Sequence, residues 1–153
     1  MEYIRALALN EPHPVDLLLL ADPEIEVVKS YIDRSLCFVM EREQGQPMIG
    51  VYALLPTRPQ TIELVNIAVA EHEQGKGYGR QLTLHAIVTA ASLGYKTIEV
   101  GTGNSSLLQL GLYQKCGFRI VGVDRDFFPR HYVEPIYEDG IPCRDMIRME
   151  MEL

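Results

Sequence analysis

Apolar, strand-like runs alternate with apolar–polar helical patterns along this chain, and their order predicts its elements. Runs at 3–9, 35–42, 47–55, 61–69, 96–101, 118–127 and 143–152 predict strands. Patterns near 14–21 and 24–33, and at 79–92 and 105–116, predict helices. Pro12, Pro14 and Pro23 punctuate the first helical region, and Gly45-Gln46-Pro47 reads as a hairpin turn. Residues 61–101 form a strand–helix–strand unit, which predicts a parallel pair joined by a right-handed crossover. Hairpins on either side predict antiparallel pairing. The expected fold class is therefore α/β: a mixed, largely antiparallel twisted sheet of about seven strands around a central parallel pair, with four flanking helices.

Composition narrows the picture without naming an activity. A length of 153 residues predicts one domain, 1–153, with a sizeable core. The net charge of −7 argues against nonspecific nucleic-acid binding. The apolar stretch Leu17 to Ala21 is too short to span a bilayer, and no basic segment with an apolar core opens the chain. Cys37, Cys116 and Cys143 lack metal-ligand spacing, so reduced thiols, a cytoplasmic location and no metal are expected.

The most informative stretch is Gln74-Gly75-Lys76-Gly77-Tyr78-Gly79-Arg80, between a strand-like run and a helix start. Glycines there let backbone amides and the positive end of the helix dipole approach an anion. A phosphate-bearing ligand is the expectation. The P-loop pattern fails because Gly77 follows Lys76 where Ser or Thr is required. The dinucleotide fingerprint fails because Arg80 stands where its third glycine belongs, and Ala70 to Gln74 make the turn too long.

Gln74, Gly77 and Gly79 fit a third pattern, Gln/Arg-x-x-Gly-x-Gly/Ala. With Asn66-Ile67-Ala68-Val69 before it and Asn104 and Leu112-Tyr113-Gln114-Lys115-Cys116-Gly117-Phe118 after it, the chain resembles the GNAT superfamily of acetyl-coenzyme A-dependent N-acetyltransferases. The resemblance is good over roughly 45–123 and weaker at the flanks. It implies a GNAT fold with a splayed parallel pair and an acetyl-coenzyme A site. The backbone of Ile67, Ala68 and Val69 would pair with the pantetheine arm, and the turn from Gln74 to Arg80 would hold the pyrophosphate. Asn104 would contact the arm or cap the next helix.

Tyr113 is the expected general acid, since a phenol stays protonated at neutral pH and can give its proton to a thiolate. Glu99 and Glu63 are the candidates for the base, with Glu99 ranked first. If strand alternation is regular, Glu63, Val65 and Ile67 share a face; relatives often bulge here.

The acceptor is expected to be a primary amine of a small molecule or of a peptide or protein N-terminus, and the acidic balance is compatible with a cationic one. Residues 124–145 are proline-punctuated, too long for a tight hairpin, and carry Phe127, Phe128, Tyr132 and Tyr137. They read equally as an acceptor lid or as the arm of a homodimer. The alternative function is a non-catalytic acyl-coenzyme A-binding or sensing module on the same fold.

Overall fold

The computed structural model describes residues 2–153. Its main sheet has seven strands: β1 (Tyr3–Ala6), β2 (Leu36–Glu41), β3 (Met48–Arg58), β4 (Thr61–Val69), β5 (Thr97–Gly103), β6 (Arg119–Asp124) and β9 (Met146–Glu152). They lie in the order β1-β2-β3-β4-β5-β9-β6, and the β4–β5 pair is parallel while the other pairs are antiparallel. The expected mixed sheet with a central parallel pair is the observed one.

Helices cover both faces. On one side α1 (Val15–Ala21) and α2 (Ile25–Tyr31) bury Leu18, Val28 and Tyr31 against Val39, Val51 and Ala53. On the other, α3 (Tyr78–Ser92) and α4 (Leu107–Lys115) bury Leu82, Ala86, Ala90 and Tyr113 against Leu54, Ile62, Ile98 and Met149. α4 begins after Ser106, not Asn104, and Gly117 closes its C-terminal end at φ +112°.

The segment expected to be one long loop is built instead. β6 stops at Asp124, three residues short of the expected end, because Asp126 turns left-handed (φ 59°) and starts a fifth helix, α5 (Phe127–His131). A small hairpin follows, β7 (Tyr137–Glu138) and β8 (Ile141–Pro142). Its turn residues, Asp139 and Gly140, have φ of 51° and 78°, which suits the two-residue turns that match strand twist. β9 consequently begins at Met146 rather than 143.

One irregularity decides where the cleft lies. Across β3–β4, Ala53 pairs with Asn66 but Leu54 pairs with Leu64, so Val65 is an extra residue in β4. Such a bulge bends its strand. Leu64↔Val100 is also the last pair between β4 and β5. Beyond it, the edge of residues 65–69 that would face β5 has no strand partner, while β5 runs on against β9 to Gly103↔Met146. The two strands part and a V-shaped opening forms between them. No helix among the described residues is long and apolar enough to cross a membrane.

Candidate active site

The opening is a cleft of about 560 Å³. It is lined by Ile67, Ala68, Val69, Gln74, Gly75, Gly77, Tyr78 and Gly79, by Gly101 to Gly103 and Tyr113, and by Asp22, Asn66, Phe128 and Tyr132. Nine of the residues expected at the site therefore meet in one place.

The glycine turn has the form that a phosphate cradle requires. Gly75 and Gly77 sit at φ +79° and +88°, and a Cβ on either would point into open space. None of the backbone amides from Gly75 to Arg80 donates to another group among the described residues; the first helical bond is Gln81 N to Gly77 O at 3.1 Å. Free amides at the start of a 15-residue helix converge on the positive end of its dipole. Pyrophosphate fits this cradle, and an extended amide-bearing arm fits the unpaired edge of β4.

Some side chains serve other ends than expected. The Gln74 side-chain amide donates to Val69 O at 3.0 Å, so it fastens the turn to the strand. Lys76 Nζ lies 2.9 Å from Glu73 Oε2, a carboxylate only 2% exposed that also pairs with Arg42. Lys76 is thus paired with Glu73, whereas Arg80 forms no ion pair among the described residues, and both are exposed. Neither lines the cleft. Asn104 lies outside it too. Its Oδ1 accepts from the backbone of Arg144 (2.8 Å) and Asp145 (3.0 Å), and its Nδ2 donates to Pro142 O (3.1 Å). Asn104 bolts the segment before β9 to the end of β5 and does not cap α4.

Tyr113 is 4% exposed, packs edge-on against Phe118 at 5.9 Å, and lines the cleft. Its hydroxyl makes no hydrogen bond among the described residues. Burial pushes the phenol well above its ordinary value, so it carries its proton throughout the neutral range. Burial likewise raises the Cys116 thiol, which leaves it a poor nucleophile.

The two glutamates are register partners across β4–β5, but their surroundings differ. Glu99 accepts from Arg58 Nη2 at 2.6 Å and Thr57 Oγ1 at 3.2 Å. Glu63 has no hydrogen-bond partner among the described residues. Burial raises its carboxyl and the charge of Glu99 adds to the effect, while Arg148 opposes it. The bulge corrects the regular alternation: Ile67 packs with the α3–α4 core, Val65 with the α1–α2 core, and Ile67 does not share a face with Glu63.

Asp22, Tyr31 and Asn66 escaped sequence reasoning as site residues, and Tyr132 was expected only as an aromatic of the lid or arm. Asp22 Oδ2 accepts from the Tyr31 hydroxyl at 2.9 Å and Oδ1 from the Tyr132 hydroxyl at 2.7 Å. Asn66 Nδ2 donates to Tyr31 Oη at 2.9 Å and to Leu18 O at 3.0 Å. Burial raises the Asp22 carboxyl against the pull of the two tyrosines. The available signal was an asparagine flanked by apolar residues, Leu64-Val65 and Ile67-Ala68-Val69, within a strand, since buried amides are kept only where something bonds them. Among the described residues no cluster of ligands suits a metal ion.

Comparison with known proteins agrees with this geometry. Residues 6–118 match the model of the acetyltransferase (GNAT) family. The N-acetyltransferase YvbK of Bacillus subtilis is 58% identical over 138 residues, which is 90% of this chain and 88% of that protein. The structure of an IAA acetyltransferase from Bacillus cereus is 54% identical with a TM-score of 0.94, covering 100% of both chains. A GNAT acetyltransferase from Elizabethkingia anophelis with acetyl-CoA bound is 44% identical with a TM-score of 0.94, covering 99% of this chain and 98% of that one. This chain belongs to the acetyltransferase (GNAT) family, enzymes that move an acetyl group from acetyl-coenzyme A to an amine.

Proposed function

We propose that the protein acetylates a primary amine of a small molecule or of a peptide or protein N-terminus, directly and without an acyl-enzyme. The observation that carries this is the meeting, in one cleft, of a cradle of free amides, an unpaired strand edge and a protonated, unbonded phenol. Acetyl-coenzyme A, when bound, supplies a thioester carbonyl carbon open to attack.

The amides of Gly75 to Arg80 hold the pyrophosphate, and the backbone of Ile67, Ala68 and Val69 holds the pantetheine arm. An acceptor amine with a pKa of about 10 arrives protonated and must lose a proton before its lone pair can react. Glu63 is the better base of the two, reached through water because neither glutamate lines the cleft: its carboxylate is unpaired and its affinity for protons is raised, whereas Arg58 and Thr57 occupy Glu99. As the new N–C bond forms and the C–S bond breaks, Tyr113 gives its proton to the departing sulfur. The proton remaining on the nitrogen leaves to solvent, which also reprotonates the Tyr113 phenolate and takes the proton held by Glu63.

The test is thiol release from acetyl-coenzyme A with a panel of peptide N-termini, lysine peptides, polyamines, aminoglycosides and amino acids, run beside Tyr113→Phe. Turnover with one class, lost in the variant, supports the proposal. Tight acetyl-coenzyme A binding with no acceptor-dependent release from any class would favour a sensing module instead.

A further inference from the structure

The Oδ1 of Asn66 is the one buried side-chain oxygen or nitrogen among the described residues that has no hydrogen-bond partner. Asn66 itself is 4% exposed and lines the cleft. A buried polar atom left unpaired is costly, so a partner that supplies a donor recovers that cost. The orientation of the amide is fixed by its neighbours. The Leu18 carbonyl can only accept, so the nitrogen must face it, and the oxygen must point elsewhere.

The surrounding cluster is polarised in one sense. Asn66 Nδ2 gives one hydrogen to Leu18 O and the other to Tyr31 Oη; the Tyr31 and Tyr132 hydroxyls give theirs to the two oxygens of Asp22. All side-chain donors of the cluster are therefore consumed internally. What is left unused, on two residues that line the cleft, is acceptor capacity: the buried Asn66 Oδ1 and the remaining lone pairs of Asp22. The charged residues lining the cleft are Asp22, Glu73 and Glu138, with no lysine or arginine. Phe128, Tyr132, Ile136 and Met146 supply apolar wall in the same cleft, and Tyr132 reaches Asp22 directly.

A corner that offers only acceptors and negative charge suits a group that has only donors and positive charge. We infer that Asn66 Oδ1, backed by Asp22, is the docking point for the acceptor's amino group, a primary ammonium joined to an apolar body. This rests on the acetyl-transfer proposal above and adds the residues that select the substrate. The bulge at Val65 makes the arrangement: without it Asn66 would face α3 with Leu64 rather than α1 and α2.

The test is calorimetric titration of the coenzyme A-saturated protein, in which amine binding is read without turnover. The probes are phenethylamine, its N,N,N-trimethyl derivative, spermidine and a short peptide with a free N-terminal alanine. Phenethylamine is expected to bind, and the trimethyl form, which keeps the charge but has no N–H, to bind at least about tenfold more weakly, as loss of a hydrogen bond to a charged donor requires. Asn66→Ala is expected to weaken phenethylamine about tenfold while the coenzyme A Kd stays within about twofold.

Equal binding of the two phenethylamines, or failure of all the amines to bind, would overturn the inference; this comparison uses the unaltered protein and survives a variant that folds poorly. A folded Asn66→Ala protein with unchanged amine binding would also overturn it. So would a variant that loses coenzyme A instead, because the free oxygen would then serve the pantetheine arm. Preference for spermidine over phenethylamine would refute the apolar body. Failure of the unaltered protein to bind acetyl-coenzyme A is a separate result, and it would count against the acetyl-transfer proposal itself.

Discussion

Glu63 and Glu99 stand opposite each other on the parallel strands β4 and β5, yet only Glu99 is neutralised, by Arg58 at 2.6 Å. Burial raises the Glu63 carboxyl and the Glu99 charge adds to it, against the opposing pull of Arg148. That asymmetry reverses the order expected from sequence and makes Glu63 the proposed base.

Activity should therefore fall as pH drops through a value above the ordinary glutamate range of about 4.3, because the base must be ionised to work. Glu63→Gln should lower kcat/KM by about a hundredfold or more and abolish that acid limb, whereas Glu99→Gln should keep the limb. The reverse pattern, measured across the pH–rate profile, would assign the base to Glu99.

The same raised carboxyl has a stability consequence of definite sign. A group that binds its proton more tightly when folded favours the fold below its unfolded value, and that contribution is lost as pH rises through the folded one. Melting curves of Glu63→Gln should show a higher Tm than the unaltered protein at neutral pH and no gain near pH 4. A gain of equal size at both values would remove titration as its cause.

Tyr113→Phe deletes a hydroxyl that holds nothing among the described residues and leaves the contact with Phe118 in place. Turnover should fall by about a hundredfold, with the acetyl-coenzyme A Kd and the Tm nearly unchanged. Equal loss of affinity and rate would mean that the phenol positions the donor rather than protonating sulfur.

Gly79 offers a clean probe of the phosphate cradle. It lies in α3, its φ is not left-handed, and a Cβ there would come no closer than 3.7 Å to Leu112 Cδ2. Gly79→Ala should leave the Tm unchanged or slightly higher, since alanine is favoured over glycine in helices by about 1 kcal/mol, while raising the coenzyme A Kd. Gly77→Ala, at φ +88°, should also lower the Tm. Normal coenzyme A affinity in Gly79→Ala would place the pyrophosphate elsewhere.

Asn104→Ala would release three hydrogen bonds to residues 142–145. The expected result is a lower Tm and a raised acceptor KM with unchanged acetyl-coenzyme A affinity. A change confined to acetyl-coenzyme A affinity would restore the direct contact with the arm.

The sheet, its parallel pair and the glycine turn were legible in the sequence because each is written locally. Apolar runs mark strands, 61–101 spells a crossover, and Gly75 and Gly77 sit where left-handed backbone was needed. Tyr113 and the strand Ile67 to Val69 were legible through the resemblance carried by their motifs. The short helix Phe127–His131 and the Asp139-Gly140 hairpin were missed because prolines and a long interval between strands look alike whether a loop is open or built. What the tertiary structure alone decided is which groups share a neighbourhood. Tyr132 reaches Asp22 across 110 residues, Arg58 claims Glu99 across 41, and Glu73 claims Lys76 because a buried carboxylate must be paired. The single extra residue at Val65 exchanges the faces of everything after it in β4. Side chains on a strand alternate with a period of two, so a one-residue bulge, invisible in composition and motif, decides whether Asn66 faces α3 or the α1–α2 side where it meets Leu18 and Tyr31.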